Sequence, residues 1–209
     1  LDRWLERGEA VKTLHSELQL TFDTRRPSNP FVFGSTPSTG WLAAVFGGPT
    51  SVLSDDGTTY FHWGLDVQRF FDLYQGNRVL VLRAHVASVT GNLRDVPIVD
   101  LPPLGGPNFL RGFIRYRFRD RAQAMASAEY RYPFFHYGLG YFFVDAGRVF
   151  RTLEDFTLND MHVGFGGGIQ LHTPAAAVFR IQLAATVREG MMFSLIFAPD
   201  LSARPQEDP

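Results

Sequence analysis

The spacing of apolar residues predicts an all-β fold, an antiparallel sheet of about 8–10 strands. Apolar and polar residues alternate with period two over six long segments. Turns rich in Gly, Asn, Asp and Pro join these segments, and no helical pattern separates them. No run reaches the roughly 18 apolar residues of a membrane-spanning helix, whereas a spanning strand needs only about ten residues of alternating polarity.

Nine segments are strand candidates. Alternation is clear in the six segments 14–23, 60–73, 79–89, 122–132, 161–171 and 178–187, and weaker in the three segments 41–47, 138–147 and 191–197. Residues 1–12 carry the only helical pattern, and the polar residues 200–209 are predicted to form a tail. The β-domain is therefore expected to span residues 13–199, with one long connection at 91–121.

The composition excludes several classes of protein. With 45% hydrophobic and 14% aromatic residues, the chain contains too much apolar material to be disordered. It has no cysteine, which excludes a disulfide scaffold and a thiolate metal site. A formal net charge of -1 argues against a nucleic-acid partner held by bulk charge.

Alternation alone does not show whether the polar face meets solvent or lines the lumen of a membrane barrel. Three features favour a transmembrane β-barrel with its apolar face in lipid. The polar faces combine Gly with charges of both signs, and the connection 91–121 is longer than a soluble hairpin needs. Aromatic residues lie near predicted strand ends, where membrane barrels carry interfacial girdles: Trp63, Phe71, Tyr74, Tyr130 and Tyr132. A soluble ligand-binding barrel is the alternative.

The long connection contains the segment LGGPNFLRGF at residues 104–113. It resembles the conserved loop of the outer-membrane assembly-factor superfamily, which includes BamA, TamA, the two-partner secretion transporters and the bacterial surface antigens. The pattern of that loop is GG, a few residues, then an aliphatic residue, Arg, Gly and an aromatic residue. Four further segments resemble family motifs in the same order, at 21–40, 124–133, 142–150 and 164–174. Each match is weak alone, but five in order are specific.

The resemblance implies a BamA-like barrel in the bacterial outer membrane, whose extracellular loop folds back into the lumen. Carried over to this sequence, the loop latch comprises Gly105, Gly106, Leu110, Arg111, Gly112 and Phe113. The family's arginine meets acidic residues on the inner wall, so Arg111 would pair with Glu129 and Asp145. A guanidinium can bind a carboxylate through two parallel hydrogen bonds, which favours this pairing in a partly dry lumen. A purely structural latch, which only keeps the lumen packed, fits the same contacts.

The last strand candidate resembles the C-terminal β-signal of outer-membrane proteins. In that signal a Gly is followed by apolar or aromatic residues at alternating positions. The matching residues are Gly190, Phe193, Leu195 and Phe197. The alternative is an ordinary strand with one face in lipid. The chain continues about a dozen residues beyond the strand, whereas the signal normally ends at its aromatic residue.

The sequence does not predict an enzyme. Ser127 and the other serines lack a nucleophile motif such as GxSxG. Four histidines fall on polar registers without the HxH or HxxxH spacing of a metal site, namely His15, His62, His85 and His162. We expect these histidines to line the lumen, and we expect no cofactor and no metal.

Strand parity leaves the extent of the barrel open. Bacterial single-chain barrels have even strand numbers, so nine strands do not fit a complete barrel of this kind. In one interpretation the chain is the C-terminal part of a barrel of about sixteen strands. In another, one of the nine candidates is not a strand and eight remain. In the third, residues 1–12 add a strand or thread the lumen as a helix.

The resemblance implies a function in the insertion, assembly or translocation of proteins at the outer membrane. The expected partners are outer-membrane lipids, client outer-membrane or secreted proteins, and periplasmic accessory domains or a second copy of the chain. No nucleic-acid partner is expected. Two alternatives stay open: a surface-antigen barrel that handles no clients, and the membrane anchor of a larger patatin-like lipase protein.

Overall fold

A computed structural model describes residues 12–28, 36–53, 58–91, 96–135, 137–172, 177–187 and 189–197. Within them the chain forms one antiparallel sheet of ten strands and a separate two-stranded ribbon. The strands in chain order are β1 (Thr13–His15), β2 (Leu18–Asp23), β3 (Gly40–Val52), β4 (Thr59–Asp72), β5 (Val79–Thr90), β6 (Pro103–Leu104), β7 (Phe118–Arg119), β8 (Ala122–Phe135), β9 (Gly138–Phe150), β10 (His162–His172), β11 (Ala177–Thr186) and β12 (Gly190–Phe197). No helix in this part of the chain is long and apolar enough to cross a membrane.

Neighbouring strands of the sheet follow one another in the chain, while β6 and β7 form the ribbon inside the long connection. β1 and β2 pair with successive parts of β3, so the ten strands occupy nine positions. These nine positions are the nine predicted segments, and the interpretation in which one candidate is not a strand is therefore wrong. β3 and β9 extend further than predicted, to Val52 and Phe150, because backbone pairing continues where the alternation of side chains weakens.

The two faces of the sheet differ as the alternation predicts. The inner face, which residues 96–121 of the long connection cover, carries buried side chains such as Asp66 and Gln68 on β4. The outer face is apolar and exposed, as Phe61 and Leu65 on the same strand show. This pattern is typical of a sheet whose outer face meets an apolar medium.

An apolar cluster fills the inner face near the turns that follow β4 and β8. Its members are fully or almost fully buried: Phe70, Val79, Val81, Leu139, Tyr141, Phe143 and Ala184. Among the described residues, these side chains pack together on the inner face at this end of the sheet. The opposite end is the one that the long connection covers.

The first and last strands are edges of the sheet in the described residues. There β12 pairs only with β11, and β1 and β2 pair only with β3. The helical pattern predicted for residues 1–12 falls almost entirely on residues 1–11, which lie outside the described residues, as does the predicted tail at 200–209.

The register of the last hairpin can be tested by cross-linking, because the chain has no native cysteine. Leu183 lies opposite Phe193, at a Cα separation of about 4.5–5.5 Å, which a disulfide can bridge. We expect Leu183→Cys with Phe193→Cys to form an intramolecular disulfide on mild oxidation, detected by gel mobility with and without reductant. Leu183→Cys with Phe197→Cys is the matched control. Equal cross-linking in both pairs would contradict this register.

Candidate functional site

The long connection between β5 and β8 returns across the inner face of the sheet. The ribbon of β6 and β7 brings the two halves of this connection together, and Leu104 pairs with Phe118 there. Directly after β6, Gly105 and Gly106 have φ angles of 113° and 124°. A Cβ on Gly105 would lie 2.6 Å from the carbonyl oxygen of Ile114. Only glycine adopts such angles readily, so this pair permits the turn that carries the following residues to the sheet.

Arg111 reaches the wall of the sheet with its whole guanidinium group. Its Nε and Nη2 donate to the two carboxylate oxygens of Asp145 on β9, each at 2.7 Å. Its Nη1 donates to Glu129 on β8 at 2.5 Å, and Nη2 also donates to Ser127 Oγ at 3.0 Å. The backbone N–H of Arg111 donates to Asp145 at 3.0 Å. The structure thus brings together Arg111, Glu129 and Asp145, with the two-bond geometry of an arginine–carboxylate pair.

The surroundings keep Arg111 charged, although it is only 6% exposed. The guanidinium carbon lies 3.6 Å from the ring centre of Phe143 on β9, within cation–π distance. Burial disfavours the charge of this loop residue, but the carboxylates of Asp145 and Glu129 outweigh that effect and raise the pKa of Arg111. Arg111 is therefore a permanent cation at the centre of the contact.

Glu129 is shared by three arginines. One of its oxygens accepts hydrogen bonds from Arg111 and from Arg180 on β11, the latter at 2.6 Å. The other accepts from Arg131 on β8 at 2.8 Å. With Asp145 the network holds three guanidinium groups and two carboxylates. The sequence reasoning did not include Arg131 and Arg180, although both fall on inward registers, where a charge needs a partner.

Leu110 and Phe113 supply the apolar part of the loop contact. Both are buried in one cluster whose members are Leu104, Phe109, Leu110, Phe113 and Met125, with Phe118 and Val149 packed against it. Phe118 in turn stacks on His162 of β10, with 3.9 Å between ring centres. His162 lines the inner face, as predicted, and contacts the loop.

Two glycines let the loop backbone lie against the wall. A Cβ on Gly164 of β10 would overlap the carbonyl oxygen of Arg111. Gly112 has a φ of 94°, and a Cβ there would lie 2.8 Å from Cγ2 of Thr186. The Gly-rich pattern of β10 therefore has a structural reason, since a side chain at residue 164 would displace the loop at Arg111.

A second set of charges holds the tip of the loop, and the sequence reasoning did not identify it. Asp66 on β4 is fully buried; it accepts two hydrogen bonds from Arg83, at 2.7 and 2.9 Å, and lies 3.0 Å from Nδ1 of His85. The ring of Phe109 has its centre 4.6 Å from the Arg83 guanidinium carbon and 4.6 Å from the centre of the His85 ring. Arg83 also donates to the carbonyl oxygen of Asn108 at 3.1 Å. Asp66, Arg83 and His85 all fall on inward registers of β4 and β5. This alternation in the sequence could have indicated that they face the loop.

The loop also contacts both ends of the sheet. Asp100 accepts a hydrogen bond from Tyr60 at 2.5 Å and lies 3.3 Å from Nε2 of His15 on β1. Arg117 lies 3.2 Å from Glu189, in the turn before β12. One connection therefore links the first strand of the sheet to its last hairpin.

Hydrogen bonds extend the Asp100 contact along the first edge. Thr50 Oγ1 lies 2.9 Å from Nδ1 of His15 and 3.1 Å from Nδ1 of His62, and Nε2 of His62 lies 3.0 Å from Glu17. These side chains line a cavity of about 700 Å³ between the loop and the first strands. Among the described residues no group of three or more His, Asp or Glu side chains has the arrangement of a metal site.

The residues that resemble a β-signal lie apart from the loop contact. Gly190 begins β12 with a φ of 88°. Phe193, Leu195 and Phe197 share the outer face and are exposed. Their role as an assembly signal stays a prediction.

Comparisons with known proteins agree with this architecture. Residues 8–190 match the family model of the Omp85 superfamily domain. Among solved structures, the chain is similar to the crystal structure of BamA from Haemophilus ducreyi lacking POTRA domains 1-3, with a TM-score of 0.68 and 16% sequence identity. The match covers 86% of this chain and 40% of that chain, so the chain spans less than half of that structure. At this identity the likeness shows a shared fold. A search of curated protein sequences found no match.

Arg111→Ala should lower the free energy of unfolding by about 3–5 kcal/mol, because it leaves the buried Asp145 carboxylate without the paired cation, with only the Ser127 hydroxyl and the backbone N–H of residue 111 as its described donors. Arg117→Ala is the matched control, since it removes an exposed ion pair with Glu189 that contributes about 0–1 kcal/mol. Urea unfolding in detergent, followed by tryptophan fluorescence, measures both losses. Equal losses in the two variants would show that burial does not distinguish these pairs.

A double-mutant cycle tests whether Asp66 acts through Phe109. We expect Asp66→Asn and Phe109→Ala each to destabilise the protein, and the double variant to lose less than the sum by about 0.5 kcal/mol or more. Asp66→Asn combined with Phe113→Ala is the control pair, because Phe113 packs in the apolar cluster instead. Additive losses with Phe109 would mean that Asp66 does not position the loop tip.

Proposed function

Because this chain belongs to the Omp85 superfamily, we propose that it acts in the insertion and assembly of proteins at the bacterial outer membrane. Proteins of this superfamily reside in outer membranes, and their barrels are generally assembly factors or transporters that carry out no covalent chemistry. In the proposed orientation the long connection lies on the extracellular side, and the turns after β4 and β8 face the periplasm. The partners are outer-membrane lipids, client barrel proteins and periplasmic accessory domains.

The observation that carries the proposal is the pair of sheet edges. In the described residues β12 has one neighbouring strand, and so do β1 and β2. An unpaired backbone group in lipid costs several kcal/mol, so each edge needs a partner strand, from the rest of the protein or from a client. An extended client segment can add to such an edge through main-chain hydrogen bonds.

The contacts of the loop suit an edge that opens while the loop stays attached. The contacts at the two ends of the sheet are the partly exposed pairs His15–Asp100 and Arg117–Glu189. An exposed pair contributes about 0–1 kcal/mol, whereas removing one partner of a buried pair such as Arg111–Asp145 costs about 3–5 kcal/mol. The end contacts can therefore break and reform around a fixed central anchor.

The experiment measures how fast an unfolded client barrel folds into vesicles that contain the native-length protein. We expect faster folding than in vesicles that hold an unrelated barrel, with the client scored by its heat-shifted gel mobility. Arg111→Lys should slow client folding, because lysine keeps the charge and loses the two-bond geometry toward Asp145.

Arg131→Lys is the control, because it makes the same substitution at an arginine of the wall instead of the loop. Arg131 donates to Glu129, whereas Arg111 donates to both Glu129 and Asp145. Client folding no faster than with the unrelated barrel would contradict an assembly function. That result would favour a surface-antigen barrel, which keeps the loop contacts and handles no clients.

A further inference from the structure

The outer face of the sheet is almost free of charge. On the outward registers of the described strands, two side chains are charged, Arg69 on β4 and Arg148 on β9. Arg148 donates to Thr157 Oγ1 at 2.6 Å and to the carbonyl oxygen of Asn159 at 2.8 Å. Arg69 makes no hydrogen bond and no ion pair with any residue that the structure describes. Its guanidinium group is therefore available to a partner beyond the residues that the structure describes.

Two aromatic rings hold the Arg69 side chain in place. Its guanidinium carbon lies 4.8 Å from the ring centre of Trp41 on β3 and 5.0 Å from that of Phe71. Stacking on ring faces leaves the N–H groups at the edge of the guanidinium plane available as donors. The neighbouring acid, Asp72, lies on the inner register and accepts hydrogen bonds from the backbone N–H groups of Tyr74 and Gly76, at 3.1 and 2.7 Å.

The position of Arg69 along the strand corresponds to the level of lipid headgroups. β4 has 14 residues, and Arg69 lies three residues before its end. A spanning strand needs only about 9–11 residues, so the end of β4 extends beyond the hydrocarbon region. Aromatic side chains on the outer face form a row at the same end of neighbouring strands, as a membrane interface requires: Phe71, Tyr130, Tyr132 and Phe142.

We propose that Arg69, held between Trp41 and Phe71, binds the phosphate group of an anionic glycerophospholipid. The planar guanidinium matches two phosphate oxygens, and the aromatic rings fix its orientation before the lipid arrives. A position at the interface also explains why an outward charge is tolerated, because an arginine on the lipid face costs far less free energy there than at the bilayer midplane. That the outer face contacts lipid rests on the proposed function. In that orientation the site belongs to the periplasmic leaflet.

The test uses Trp41 as the reporter, because it lies against Arg69. The full chain with Trp4→Phe and Trp63→Phe is reconstituted in phosphatidylcholine vesicles, and brominated phosphatidylglycerol or brominated phosphatidylcholine quenches Trp41. We expect an about fivefold preference for phosphatidylglycerol, the ratio that corresponds to ~1 kcal/mol per arginine near a membrane surface. Arg69→Gln should abolish the preference, and Arg69→Lys should retain part of it. Arg148→Gln, which removes the other outward arginine, should leave it unchanged.

Each other outcome would overturn the proposal. No preference at Trp41, or a preference that persists in Arg69→Gln, means that Arg69 binds no lipid phosphate. The same preference at Trp63, measured in a chain with Trp4→Phe and Trp41→Phe, means general attraction of anionic lipid instead of a site. Loss of the preference on addition of inorganic phosphate at equal concentration indicates a site for the free ion. Heat-shifted gel mobility verifies the fold of every variant. The quenching measurement needs no client protein, so its failure can be distinguished from a failure of the proposed assembly function.

Discussion

The pairing of Arg111 with Asp145 and Glu129 is the interaction on which the position of the loop depends. A buried guanidinium needs compensating partners, and the two carboxylates that neutralise Arg111 project from adjacent strands onto the inner face. The loop must therefore cross the sheet at β8 and β9. The glycines at 112 and 164 follow from that crossing, because the backbone of the loop has to lie against β10 and β11 for Arg111 to reach the wall.

The charges of the wall do not by themselves require the loop. Arg131 and Arg180 already neutralise Glu129 and Asp145 in formal charge, and Glu129 keeps hydrogen bonds from both arginines without Arg111. Asp145 would keep only the hydroxyl of Ser127 among its described side-chain donors. Loss of Arg111 therefore destabilises mainly the surroundings of Asp145 and the apolar cluster around Leu110 and Phe113. Asp145 is therefore the wall residue that most needs Arg111 to stay in place.

Much of the fold could be predicted from the sequence, because one face of each strand is buried and the other is apolar and exposed. Period two then marks every strand position, and the LRGF motif locates the loop and the partners of its arginine. The contacts of Phe109 with Arg83 and His85 could not be predicted, since they depend on where the loop tip crosses β4 and β5. The same holds for the edge contacts of Asp100 and Arg117, whose partners are distant in sequence.

Hydrogen–deuterium exchange of the loop amides tests most directly whether Arg111 fixes the loop. Arg111 donates its backbone N–H to Asp145, and Gly106 donates its own to Leu110, so these amides should exchange slowly in the native-length protein. In Arg111→Lys we predict faster exchange across residues 105–113, with the amides of β4 and β5 unchanged. Loop amides that exchange at the same rate in both proteins would contradict the account, because the loop would then be held by its apolar contacts alone.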